Sequence, residues 1–162
     1  MKMKSYRSIP LRAYLGVVGV LGTAILLFFI QVRQERTPPS CATVIKTFIT
    51  LDARPTHGVI LVNTTPSALG AMKVLLSGKI EDGDVSYTVS KELIMRYAYK
   101  GTHYPMTVEK SIDRVRDSVS KTKLDKVFPQ EGQYLHMKIS RIDENTYAFT
   151  DNYSPIFICT TR

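Results

Sequence analysis

The strongest constraint on this chain is an uncharged run from Ala13 to Ile30, AYLGVVGVLGTAILLFFI, in which only Thr23 and the Tyr14 hydroxyl are polar. At about 1.5 Å of rise per residue the run spans roughly 27 Å as a helix, close to the ~30 Å hydrocarbon core of a bilayer. Lipid supplies no partner for backbone amides, so such a run enters it as a helix, which satisfies its own hydrogen bonds. The chain accordingly divides into a basic tail (1–12), a transmembrane helix (13–32), a linker (33–40) and a domain (41–162).

The charge distribution follows the same division. The formal charge of +8 first suggests nucleic acid, but residues 1–36 carry Lys2, Lys4, Arg7, Arg12, Arg33 and Arg36 against Glu35 alone. Most of the basic excess thus flanks the apolar run, where cations sit at lipid headgroups, and no surplus is left for a phosphate-binding surface. Direct nucleic acid binding is not expected, and lipid is the first partner. Four Lys or Arg precede the helix, whereas Arg33, Arg36 and Lys46 follow it, which favours a cytoplasmic N-terminus and a periplasmic domain.

The two cysteines, Cys41 and Cys159, bracket the domain. They read as a disulfide in an oxidising compartment or, alternatively, as two unpaired buried thiols. A cleaved leader would have a shorter apolar core and small residues at its end, whereas this run ends FFIQVRQER, so a retained anchor is expected. Within the run Gly16, Gly19 and Gly22 recur every third residue, with Thr23 four after Gly19. Two readings stay open: a small-residue face for helix packing, or the ordinary abundance of glycine in membrane helices. Pro38 and Pro39 keep a helix from running into the domain.

The domain reads as strands over 41–51, 57–63, 72–80, 85–99, 104–108, 133–142, 145–151 and 154–161. Asp82-Gly83 marks a hairpin turn, and Gly78 reads as a bulge. The clearest signal is the alternation of Val85, Tyr87, Val89, Leu93, Met95, Tyr97 and Tyr99 with polar residues, broken by Lys91 and Ile94, which implies a bend. Residues 109–133 are charged; Ile112, Val115 and Val119 at helical spacing suggest one or two helical turns, with a mobile loop the other reading. About seven to eight strands in such a length, joined mostly by short turns, predict a mainly β fold. The economical form is an antiparallel β-barrel or strongly curved sheet.

No motif carries chemistry. His57, His103 and His136 lack paired ligand spacing, and no phosphate loop, nucleophile elbow or zinc-helix motif occurs. Glu81, Asp82 and Asp84 are too closely set for a calcium loop. No catalytic residue, metal or cofactor is therefore expected. What remains is binding: Tyr87, Met95, Tyr97, Met106 and Met137 fall on inward faces, either as the lining of an amphipathic-ligand site or as ordinary core.

The stretch LLSGKIEDGDVSYTVSKELIMRYAYKG (75–101) and the terminal SPIFICTTR (154–162), set behind a basic tail, one helix and a Pro-containing linker, resemble the FidL-like inner-membrane proteins of enteric bacteria. The layout is also similar to that of ToxS-type accessory proteins. These pair with a single-pass, ToxR-like transcriptional regulator and carry a lipocalin-like periplasmic barrel, and in some members the complex binds bile salts. The resemblance implies a non-enzymatic accessory protein of the inner membrane. A sensor barrel for an amphipathic small molecule is the alternative, and an unrecognised periplasmic enzyme a third reading. It assigns no ligand-contacting residue.

Overall fold

The computed structural model describes residues 11–35, 37–51, 54–67, 70–151 and 154–161. These fall into two compact units, Met1–Arg36 and Thr37–Arg162; most of the expected basic tail lies outside the described residues. In the first unit, helix α1 runs from Leu11 to Glu35. It starts before and ends after the expected 13–32, so three residues assigned to the linker are helical. Its window Tyr14–Gln31 has a mean hydropathy of 2.1, and every side chain in it is exposed within the unit. This is one helix long and apolar enough to cross a membrane, as an anchor or a signal.

The second unit is a closed barrel of eight antiparallel strands in sequence order. They are β1 (Cys41–Leu51), β2 (Arg54–Ser67), β3 (Ala71–Asp82), β4 (Val85–Tyr97), β5 (His103–Asp113), β6 (Tyr134–Arg141), β7 (Thr146–Thr150) and β8 (Pro155–Thr160). Alternation explains the core: Ile60 and Val62 of β2, Met72, Val74 and Leu76 of β3, and Val89, Leu93 and Met95 of β4 all turn inward. On the facing wall Phe149 of β7 stacks on its register partner Phe157 of β8, ring centroids 4.6 Å apart. Cys41 and Cys159 are joined in a disulfide that ties the first strand to the last, Cα to Cα 5.6 Å.

Four local expectations are corrected. Strand β2 runs through Pro55 and Pro66, which the sequence suggested as boundaries. Pro55 pairs only toward β1 and Pro66 only toward β3, so each missing N–H falls where one flank of the strand has no neighbour. Gly78 is not a bulge, because the registers of β3 with both neighbours pass through it unbroken. It is instead a close-approach position: an added Cβ would overlap the Val59 carbonyl oxygen and stand 2.9 Å from Ile60 Cα. Of the two breaks expected in β4, the one at Ile94 coincides with an irregularity, a register shift against β5 between Ile94 and Met95, but Lys91 is no break: its side chain points inward with its odd-numbered neighbours. Finally, Ile112, Val115 and Val119 share no helical face, since β5 continues to Asp113 and only Val119 of the three is buried.

The rest of 109–133 contains two 3₁₀ turns, Val119–Lys121 and Lys123–Val127. The Thr122 hydroxyl donates to the Val119 carbonyl (2.8 Å) and accepts from the Leu124 amide (3.2 Å), and the Gln130 side-chain amide donates to the Asp125 and Phe128 carbonyls. The segment is anchored on β4. Arg114 and Ser118 amides bond to the Ser90 and Thr88 carbonyls, while Asp117 accepts from the Ser90 amide at 2.7 Å. Its Val119, Leu124 and Phe128 are buried against the core. A charged stretch thus becomes a plug: three apolar side chains go in, Asp117 is buried on the β4 backbone, and most of the other charges stay out.

Candidate functional site

Strand lengths place the site. Strands β1 to β4 have 11 to 14 residues, whereas β6 to β8 have 8, 5 and 6. The long strands therefore outrun the short ones, and the plug occupies part of the missing wall. Between plug and strands lies a cavity of about 430 Å³. Ile60 and Val62 of β2, Met72 and Val74 of β3, Met95, Met106 and Met137 of the next three strands, and Val127, Phe128 and Pro129 of the plug all line it. Such a volume is in the range of small-molecule sites. The polar lining consists of Thr47, Thr64 and Asp151. Exposed Val127 and Ile156 also line the cavity, so it reaches the surface between β1, β8 and the plug.

The same place is the seam of the barrel. Strands β1 and β8 pair only at Ala42 and Thr160. From Thr43 to Leu51 the second edge of β1 has no strand partner among the described residues. Beside this edge Val44 and Phe48 point outward, Phe48 being 76% exposed. Its ring meets the His57 ring edge-on, at 5.1 Å between centroids. Unpaired, apolar-flanked edges are templates for another strand.

Of the five residues expected on inward faces, Met95, Met106 and Met137 line the cavity, whereas Tyr87 and Tyr97 pack against the core without lining it. Tyr97 belongs to an aromatic cluster with Tyr104 and Tyr99, whose rings lie 5.9 and 5.3 Å from Tyr104. Burial, with other tyrosines around it, pushes the Tyr104 phenol up to about 12. Met72 was missed, although it shares parity with Val74 and Leu76 and so was findable. Lys91 was missed as an inward residue: its ammonium ion-pairs with Asp125 of the plug at 2.6 Å and with Asp113 of β5, and lies 5.9 Å from the centre of the Phe128 ring. A lysine on the inward parity of an alternating strand was the signal. Burial opposes its charge, but hydrogen bonds to Asp113 and Asp125 outweigh this and raise its pKa above 10.5.

A second, polar groove of about 260 Å³ contains His103, His136, Lys138, Thr150, Asp151 and Ser154. The two imidazoles, 33 residues apart in sequence, meet at 5.5 Å between centroids because β5 and β6 set them diagonally on one outer face. Among the described residues no hydrogen bond joins Ser154 or Thr150 to either imidazole, the link that would activate a hydroxyl. No cluster of three or more metal-donor residues occurs among them either. In α1, Gly16, Gly19, Gly22 and Thr23 fall within an arc of about 120° at ~100° per residue. Carbons added at the three glycines would meet nothing within 4 Å, and the Thr23 hydroxyl is satisfied by the Gly19 and Val20 carbonyls of its own helix.

Fold and site together define a class: an eight-stranded antiparallel barrel with an apolar chamber and a half-open seam, on a chain with one apolar N-terminal helix. Helix and disulfide suggest a membrane or extracytoplasmic location. Compared with protein-family models and with curated proteins, the chain matches none.

Proposed function

We propose that this chain is a non-enzymatic accessory protein, anchored in a bacterial inner membrane with its N-terminus cytoplasmic and its barrel periplasmic. There it stabilises or modulates a single-pass, ToxR-like transcriptional regulator. The observation that carries the reading is the unpaired edge of β1 from Thr43 to Leu51, flanked by outward Val44 and Phe48. Main-chain groups along such an edge supply affinity, and alternate side chains supply register. The Gly16, Gly19, Gly22 and Thr23 arc supplies a second surface in the bilayer. The test is co-purification of the full chain with the regulator. Val44→Lys/Phe48→Lys places charges beside the edge while leaving the inward face intact, and should abolish pairing; retained pairing would refute the edge. Gly19→Leu should weaken pairing in a membrane two-hybrid assay.

The chamber favours a second reading, in which the barrel holds an amphipathic small molecule and reports it to the regulator. A cavity of about 430 Å³ with a mouth at the same seam supports it. Native mass spectrometry of the full chain with fatty acids or bile salts tests it: a bound species retained at moderate collision energy is expected, and none at high ligand concentration would overturn it.

A further inference from the structure

Four of the six methionines in the chain form one continuous band. Met72 lies directly across from Met95 on β3 and β4. Met95 faces Val108, two residues from Met106, on β5. Met106 faces Leu135, two residues from Met137, on β6. Direct partners across a sheet have Cβ atoms about 5 Å apart and diagonal ones about 7–8 Å, within reach of long side chains. All four line the chamber. Beside the band the lining continues through Val74, two residues from Met72 on β3, and Ile60 and Val62 of the neighbouring β2, all β-branched and stiff at χ1. Part of the lining is therefore rigid, and part is made of unbranched, polarizable thioethers with three rotatable bonds each.

We propose that the Met72–Met95–Met106–Met137 band is the adaptable wall of a promiscuous site, which lets one chamber accept apolar bodies of different outline, flexible chains and rigid fused rings alike. This rests on the chamber being a ligand site. The thioethers re-pack around whichever body enters, while the β-branched residues and Phe128 keep the rest of the lining in place. The polar end of the ligand stays at the seam, where Thr47 and Asp151 are found.

The labels for the test are built in. In the full chain, carried in lipid nanodiscs and labelled with ¹³C at the methionine methyls, the four band residues report on the chamber. Met1 and Met3, outside the domain, serve as internal references. The probes are dodecanol, a flexible chain, and pyrenemethanol, a rigid fused ring. Both should shift the band methyls and leave Met1 and Met3 unmoved. Met95→Leu/Met106→Leu keeps volume but removes torsional freedom, so dodecanol affinity should hold within about threefold while pyrenemethanol affinity falls by about tenfold or more. If that pair fails to fold, Met72→Leu/Met137→Leu asks the same question from the two ends of the band. Equal losses for both probes, or no loss, would overturn the adaptable wall and leave the chamber as a site. No methyl shift with either probe would overturn both.

Discussion

Removing the disulfide tests how the barrel is held shut. Cys41 and Cys159 are 118 residues apart in sequence, and the chain-entropy model gives about 5 kcal/mol for a crosslink closing a loop of that size. The competing contribution at this seam is small, since β1 and β8 share one register pair, Ala42 with Thr160. A domain of this size has in total about 5–15 kcal/mol of stability, so the crosslink is a large share of it. The perturbation is Cys41→Ala/Cys159→Ala; alanine is preferred to serine because both positions are buried and a hydroxyl there would need a partner. Urea unfolding of the full chain in nanodiscs, followed by the loss of β-sheet circular dichroism, gives the readout. With a urea slope of about 2 kcal/mol/M, the midpoint should fall by about 2.5 M. Hydrogen exchange should show β8 losing protection first, because it is bound on one side to β7 and on the other by one residue pair and the bridge. A midpoint shift below about 0.5 M, with β8 still protected, would show that the barrel closes without the crosslink and refute the reasoning.

Three further outcomes follow from named contacts. Gly78→Ala forces a Cβ into the Val59 carbonyl and toward Ile60 Cα and should cost about 3 kcal/mol or prevent folding. Gly58→Ala meets the Thr47 hydroxyl and Ile80 Cγ1, side-chain atoms that can shift, and should be milder in the same urea assay. Lys91→Met should destabilise by about 2 kcal/mol, less than the ~3–5 for a fully buried pair because Asp113 and Asp125 both reach solvent, and should speed tryptic cleavage within 114–127. Since the folded-state pKa of Lys91 is raised, its contribution is complete below about 10.4 and is lost as pH rises through the folded value; the wild type should therefore weaken above about pH 10.5, and Lys91→Met should lack that step. Asp117 has the opposite sign: burial works against its charge, but the Ser90 and Ser120 amides outweigh this and lower its pKa, so its contribution is lost only as pH falls below the ordinary aspartate range, and Asp117→Asn should flatten acid unfolding.

Local periodicity and the barrel it implies were legible here, and the register between strands was not. The alternation of Val85 to Tyr97 announced β4, Gly83 marked its turn, and β1 was read to the residue, because period-two burial and turn chemistry are written in adjacent residues. The prolines of β2 misled because what matters is which flank of the strand is unpaired, a property of the neighbours rather than of the proline. Lys91 looked like a break in the pattern because its compensation comes from Asp113 and from Asp125, 34 residues on. The histidine pair was invisible for the same reason, and of the methionine band only the inward facing of Met95, Met106 and Met137 could be read: adjacency is set by register between strands, and one-dimensional spacing does not encode register.

The unequal strands connect these features physically. A barrel whose first four strands are about twice the length of its last three cannot close along its whole height: continued from Ala42 and Thr160, β8 would run out opposite Thr47, and it parts from β1 even before that. The lower interior must then be covered by something other than a strand. The plug does so with Val119, Leu124 and Phe128, but irregular backbone packs less regularly than a sheet and leaves a chamber behind it. Lys91 adds to what makes this arrangement specific. The Arg114 and Ser118 amides and the Asp117 carboxylate key the start of the segment to β4, and one ammonium bound to a β5 carboxylate and to Asp125 does the same for its later turn. The chamber, its mouth and the free edge of β1 beyond Thr47 are thus consequences of one asymmetry, which is why a strand bound at the edge and a molecule bound in the chamber would compete for, or seal, the same opening.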